Sequence, residues 1–78
     1  MTNNDSYAVA AAVTPSDATN FALGACKALY IGGAGNVVAI VGGSAITFTG
    51  ALAGSVLPIS ATRVNATSTT ATNIVALY

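Results

Sequence analysis

The residues that could carry catalysis are few and lie far apart in the sequence. Cys26 and Lys27 are neighbours, and a thiol beside a cation is a candidate nucleophile. Nucleophilic catalysis also needs a base that accepts the thiol proton, and the chain contains no histidine. The two acids, Asp5 and Asp17, lie in the N-terminal segment and the first turn, where a rigid acid–base pair is not expected. The sequence therefore indicates a protein that is not an enzyme, with Cys26 as a buried structural residue.

The glycine run 32–35 could be taken for a phosphate-binding loop. Such a loop needs a helix N-terminus directly after it, and a P-loop also needs a Lys-Ser/Thr pair. Here the run is followed by Asn36-Val37-Val38, which is typical of a strand. A single cysteine and no histidine also leave no set of zinc ligands. We therefore expect no cofactor and no metal.

The composition predicts a protein that is buried against other subunits. Apolar residues make up 54% of the chain and charged residues 5%, whereas soluble domains contain about 25% charged residues. A monomer of this composition would expose large uncharged patches, which soluble monomers rarely do. Lys27 and Arg63 are the only basic residues, so we expect no nucleic-acid partner. The high apolar content and the low charge favour an obligate homo-oligomer.

The segment 28–60 carries no charge and leaves two interpretations to weigh. A small membrane-embedded ring or hole-forming subunit would need an uninterrupted apolar span of about 20 residues. This segment is broken repeatedly by glycine and by Pro58, and its flanks lack the basic clusters and aromatic belts of membrane spans. We favour short β-strands and expect no membrane association. The N-terminus has no basic region typical of a secretory signal, so synthesis in the cytoplasm is expected.

Alternation of apolar and polar residues predicts an all-β fold, a small antiparallel β-sandwich or barrel of about five or six short strands. Met1 to Val13 shows no strand pattern and is predicted to be a flexible N-terminal arm, residues 1–13, preceding a β domain, residues 14–78. In the turn at 14–17, Asp17 could also cap a short helical turn. The predicted strands are 28–31, 37–41, 45–49, 56–60 with a continuation at 62–66, and 73–78.

Turn residues between these strands predict their connections. Residues 32–36 are expected to form a hairpin loop, and Gly42-Gly43-Ser44 a second tight turn. In the strand between them, 37–41, unbroken β-branched character favours burial on both faces. Ile46 and Phe48 should face inward from the strand 45–49. Pro58 cannot donate to a sheet ladder, so its strand should be an edge strand or a bulged one.

Three residues are predicted interface candidates. Arg63 presents a planar guanidinium that can bind carbonyl or carboxylate groups of a neighbouring subunit, although a solvated side chain lying along an apolar strand is an equally good interpretation. Tyr30 and Tyr78 combine an apolar ring with a polar tip, which is favoured at interfaces.

Three stretches together are similar to a known family: TPSDATNFALGACKALYIGGAGNVV (14–38), ITFTGALAGSVLPI (46–59) and RVNATSTTATNIVALY (63–78). They resemble the spike base proteins of tailed phages and gene transfer agents. The resemblance implies a structural virion protein whose β domain sits on the capsid exterior as a ring-like homo-oligomer, such as a trimer or pentamer. Its implied partners are the major capsid protein and a spike or fibre protein. A capsid decoration (cement) protein is the alternative within this class, and neither role calls for catalysis.

Overall fold

The computed structural model describes residues 7–78, which form two antiparallel sheets. The strands are β1 (Ala10–Ala12), β2 (Ala28–Gly33), β3 (Gly35–Val41), β4 (Ser44–Ala51), β5 (Ser55–Leu57), β6 (Ala61–Val64) and β7 (Thr72–Leu77). The four-stranded sheet has the order β1-β7-β2-β5, and the three-stranded sheet the order β4-β3-β6. The predicted all-β class is confirmed. Within the described residues, no helix has the length and hydropathy needed to cross a membrane.

The core lies between the two sheets and is built from alternate residues of their facing strands. Leu29 and Ile31 of β2 are fully buried, as is Val37 of β3, while Val64 of β6 is 1% exposed. Each such side chain contributes about 1.5–3 kcal/mol when it is removed from water. Val37, Val38 and Ala39 are buried in succession, which confirms that this part of β3 is covered on both faces.

The predicted tight turn at 42–44 is confirmed as a two-residue hairpin between β3 and β4. Gly42 and Gly43 have φ angles of 60° and 83°, the left-handed pair that a type I′ turn requires. Val41 lies opposite Ser44 at the end of the ladder. This hairpin fixes the register of the two strands.

The predicted hairpin loop at 32–36 is wrong, because the chain changes sheets there. β2 pairs with β5 and β7, whereas β3 pairs with β4 and β6. A Cβ atom on Gly35 would lie 2.5 Å from the backbone nitrogen of Ala71 and 2.7 Å from the carbonyl carbon of Thr70. The glycine allows β3 to pass close to the backbone at 70–71 on its way into the second sheet.

A strand forms within the segment where the sequence shows no strand pattern. Ala10–Ala12 form β1, which pairs with β7, and the ladder continues through Val13 N–H to Ile74 O at 2.9 Å. Alanine favours strands only weakly, so the pairing with β7 determines this conformation. Residues 1–6 of the predicted arm lie outside the described residues, and the boundary at residue 14 stays a prediction.

Ile46 and Phe48 were both predicted to face inward, and the structure confirms this for Phe48 alone. Phe48 packs against the core, while Ile46, two positions earlier on the same face of β4, is 44% exposed. The four-stranded sheet does not cover this part of the three-stranded sheet. The predicted edge position is confirmed, because β5 lies at the end of its sheet. The predicted bounds 56–60 and the continuation at 62–66 are wrong, because β5 ends directly before Pro58 and β6 belongs to the other sheet.

Candidate functional site

Arg63 lies on β6 with a half-buried side chain. Its Nε donates to Asn65 Oδ1 at 3.0 Å, and its Nη1 donates to Asn20 Oδ1 at 3.4 Å. The two amide oxygens hold the guanidinium against the loop that precedes β2. Because five N–H groups are available on a guanidinium, these two bonds leave donors with which Arg63 could bind a neighbouring subunit.

The turn before this loop is held by two different side chains. Ser16 Oγ accepts from the N–H groups of Ala18 at 3.2 Å and Thr19 at 3.1 Å, and no helix forms here, so the alternative in which Asp17 caps a helical turn is wrong. The Asp17 carboxylate instead accepts from Thr67 Oγ1 at 2.6 Å and from Thr67 N–H at 3.0 Å. These bonds lower the pKa of Asp17, and the nearby positive charge of Arg63 adds a smaller effect in the same direction.

The threonine-rich segment 65–71 runs alongside the start of β3. Val38 N–H donates to Thr69 Oγ1 at 3.0 Å, and Asn36 N–H donates to Thr70 Oγ1 at 2.8 Å. Asn36 O in turn accepts from the N–H groups of Thr70 and Ala71. Threonine hydroxyls therefore replace part of a strand ladder here, a role that the sequence pattern alone did not indicate.

Tyr78 and Tyr30 lie on opposite faces of the four-stranded sheet. The ring of Tyr78 packs against the core, and its hydroxyl donates to Gly24 O at 2.9 Å. Burial raises the pKa of the Tyr78 phenol, with a smaller contribution from Cys26. Tyr30 points away from the core and is 38% exposed. The structure does not bring Arg63, Tyr30 and Tyr78 together, and their interface roles stay predictions.

An uncharged row of side chains crosses the outer face of the four-stranded sheet. Ala12 lies opposite Val75, Val75 opposite Tyr30, and Tyr30 opposite Val56. Directly opposed residues in antiparallel strands share a face, so these four residues line up from one edge to the other. We call this row the outer apolar row. Val56 is 45% exposed, so the row is accessible in the single chain.

A groove lies beside β1 on the core side of the sheet. Its walls include Ala11, Val13, Phe21 and Ala22. Every lining side chain named here is apolar, and Val13 and Phe21 also pack against the core. We call it the β1 groove. Tyr78 also lines the groove, and its hydroxyl is the one polar side-chain group there, fewer than the convergent set with which a small-molecule site fixes its ligand.

Cys26 is 2% exposed, which confirms its interpretation as a buried residue. Its Sγ lies 3.6 Å from Ile59 O, within reach of a weak S–H···O hydrogen bond. In the part of the chain that the structure describes, no three His, Cys, Asp or Glu side chains come together as a metal site would require. What the fold displays is a set of uncharged surfaces on a small sandwich, the features of an assembly protein.

Comparison with known proteins agrees with this class. A chain in the solved structure of the capsid of a native GTA (gene transfer agent) particle, computed with C5 symmetry, matches with a TM-score of 0.83 and 34% sequence identity. The match covers 94% of this chain and 84% of that chain. No protein-family model and no curated protein matches the sequence. The chain therefore belongs to the family of this gene transfer agent capsid chain, a family of phage-like, capsid-associated structural proteins.

Proposed function

We propose that this chain is a structural protein of a phage-like particle that oligomerises and binds the exterior of the capsid. Within that class it serves as a spike base or as a decoration (cement) protein. The observation that carries the proposal is the outer apolar row, an accessible and uncharged surface that spans all four strands of one sheet. The related chain in the gene transfer agent capsid supports the particle context.

The outer apolar row suits contact with a shell of major capsid protein. Tyr30 supplies an apolar ring with a hydroxyl at its tip, a combination enriched at protein interfaces. Val56 beside it adds a β-branched side chain that loses little conformational freedom on binding. Because no charged residue lies in the row, we expect binding to the capsid to depend only weakly on salt.

The low charge of the chain also supports self-association. Asp17, Lys27 and Arg63 are the charged residues among positions 7–78, so copies repel one another weakly. A trimer or pentamer is proposed, and a pentamer is compatible with the C5 symmetry with which the related capsid was computed. Such a ring leaves a face directed away from the capsid, on which a spike or fibre protein can be held.

Co-sedimentation with shells assembled from the cognate major capsid protein tests this function. The purified chain is expected to sediment with the shells at both low and high salt. Val56→Lys places a charge in the outer apolar row and should weaken binding by about tenfold, since burying an unpaired charge is costly. Ser60→Lys adds the same charge at an exposed position outside the row and should bind like the unmodified chain. Failure of the unmodified chain to bind shells, or equal binding by the two variants, would contradict the proposal.

A further inference from the structure

Within residues 7–78, no strand or segment covers two of the four sheet edges, and these two edges belong to different sheets. β5 has only 3 residues and is followed by Pro58, which has no N–H to extend the ladder, so this edge offers little backbone for strand addition. The edge of β6 is covered, because Val64 O accepts from Ser16 N–H and Thr62 O accepts from Phe21 N–H, both at 2.9 Å. β1 and β4 carry neither the charges nor the prolines with which proteins protect exposed edges. β4 is the longest strand of the described chain, with 8 residues.

The register shows which backbone groups face outward on each open edge. Val41 and Ser44 flank the two-residue turn as a hydrogen-bonded pair, so the alternating ladder directs the N–H and C=O groups of Ala45 and Thr47 away from β3. On β1, Tyr78 N–H donates to Val9 O and Val13 N–H donates to Ile74 O. The same alternation then directs the backbone groups of Ala10 and Ala12 away from β7.

The two edges also complement each other in shape. Ile46 of β4 is 44% exposed on the core-side face of its sheet. The β1 groove, lined mainly by apolar side chains that include Ala11 and Phe21, lies on the core-side face next to the edge of β1. The exposed side chain of Ile46 at the β4 edge could therefore fill the β1 groove at the β1 edge of another copy.

The open edges lie on opposite sides of the sandwich. β4 leads into β5 through the short turn at 52–54, so β4 lies on the side of the β5 edge. The segment that covers β6 follows β1 in the chain, so it lies on the side of the β1 edge. A contact between opposite sides is head-to-tail, and such contacts close into rings when the rotation between copies allows it.

We propose that β4 of one copy adds to β1 of the next copy and that this pairing joins the ring. In the register that matches the outward backbone groups and engages all of β1, Thr47 lies opposite Ala10 of the neighbouring copy, and Ala45 lies opposite Ala12. Ile46 then lies opposite Ala11 and enters the β1 groove. This register uses the regular part of β4 and avoids the irregularity between its pairs with Val37 and Gly35. The inference rests on the proposed function, since it names the surface through which the ring forms.

Charge substitutions at the paired positions test both the surface and the register. Thr47→Lys should weaken self-association, because a lysine at an open edge opposes strand addition. In Thr47→Lys/Ala10→Lys the two introduced lysines lie opposite each other, and association should weaken by about a further fivefold per contact. In Thr47→Lys/Ala10→Glu the introduced charges are opposite in sign, and the oligomer should recover. Ser60→Lys, outside both edges, is the matched control, and far-UV circular dichroism checks that each variant keeps its β-structure.

Sedimentation velocity of the full chain, without shells, gives the decisive readout. Recovery in the Lys/Glu variant together with loss in the Lys/Lys variant supports pairing of β4 with β1. Equal sedimentation of Thr47→Lys and the unmodified chain overturns this pairing. An equal loss of self-association in the two double variants also overturns it. The last result would be expected if β4 paired with β4 of another copy. Capsid binding is measured separately. Rings that bind shells but are not disrupted by Thr47→Lys would overturn this pairing alone, and rings that do not bind shells would overturn the capsid-binding function alone.

Discussion

Asp17 and Thr67 are 50 positions apart in the sequence and are joined by two hydrogen bonds, one from the Thr67 hydroxyl at 2.6 Å and one from its backbone N–H at 3.0 Å. The pair fastens the turn that follows β1 to the threonine-rich segment that runs beside β3. It therefore joins the connection between β1 and β2 to the connection between β6 and β7.

The stability of the chain should fall in acid because of this pair. Hydrogen bonds from Thr67 lower the pKa of Asp17 below the ordinary value of an aspartate. A carboxyl group whose pKa is depressed by folding stabilises the fold above its unfolded pKa, and this contribution is lost as the pH falls through the folded pKa. Thermal melts between pH 7 and pH 2 should show a smaller loss of Tm for Asp17→Asn than for the unmodified chain. Parallel loss in both proteins would show that Asp17 contributes nothing to the pH dependence.

Gly35 should tolerate no side chain. Gly35→Ala would place a Cβ atom 2.5 Å from Ala71 N, and such overpacking costs about 1–3 kcal/mol. Gly42→Asn is the matched control, because Gly42 has φ 60°, a Cβ atom there would meet no other atom within 4 Å, and asparagine suits this turn position. Urea unfolding should show a clearly lower free energy of unfolding for Gly35→Ala and little change in it for Gly42→Asn. The reverse order would contradict the close passage of β3 past Ala71.

Leu29 should dominate the stability of the core. Its side chain is fully buried, so Leu29→Ala should lower the free energy of unfolding by about 2–5 kcal/mol. Val56→Ala, on the exposed face of the adjacent strand, removes a side chain that is 45% exposed. Its effect on unfolding should be small, while its effect on capsid binding should be measurable. Equal destabilisation by the two variants would be inconsistent with the two faces assigned to this sheet.

Tyr78 should make the fold sensitive to alkali. Burial raises the pKa of its phenol above the ordinary value of a tyrosine. The stabilising contribution of a group with a raised pKa is complete below its unfolded pKa and is lost as the pH rises through the folded pKa. Tyr78→Phe keeps the packed ring and removes both the titration and the hydrogen bond to Gly24 O. Melts from pH 8 to pH 11 should therefore decline less steeply for Tyr78→Phe, and identical slopes would contradict a raised pKa of Tyr78.

Local patterns in the sequence predicted local structure well. The glycine pair at 42–43 carries its own turn geometry, and the alternation around Phe48 places that residue at the core. Pro58 likewise indicated an edge strand, because it lacks the N–H that a ladder needs, although the predicted strand ran past it to residue 60 and β5 ends at Leu57. These features depend on a few neighbouring residues, so a single sequence contains the necessary information.

Features that depend on distant partners could not be predicted in the same way. A glycine run is compatible both with a hairpin and with a close passage between strands, and the contact of Gly35 with residues 70–71 decides between them. Alanines 10–12 become a strand only because β7 lies beside them. The partnership of Asp17 with Thr67 depends on the same long-range arrangement, so the sequence showed only the local capping alternative.

Electron cryomicroscopy of shells incubated with the purified chain tests the central claim most directly. We expect additional density on the outside of the shell, in rings of three or five copies, with the four-stranded sheet facing the capsid surface. Shells without added density, or density confined to the inner surface, would contradict the assignment of this chain as an exterior capsid component.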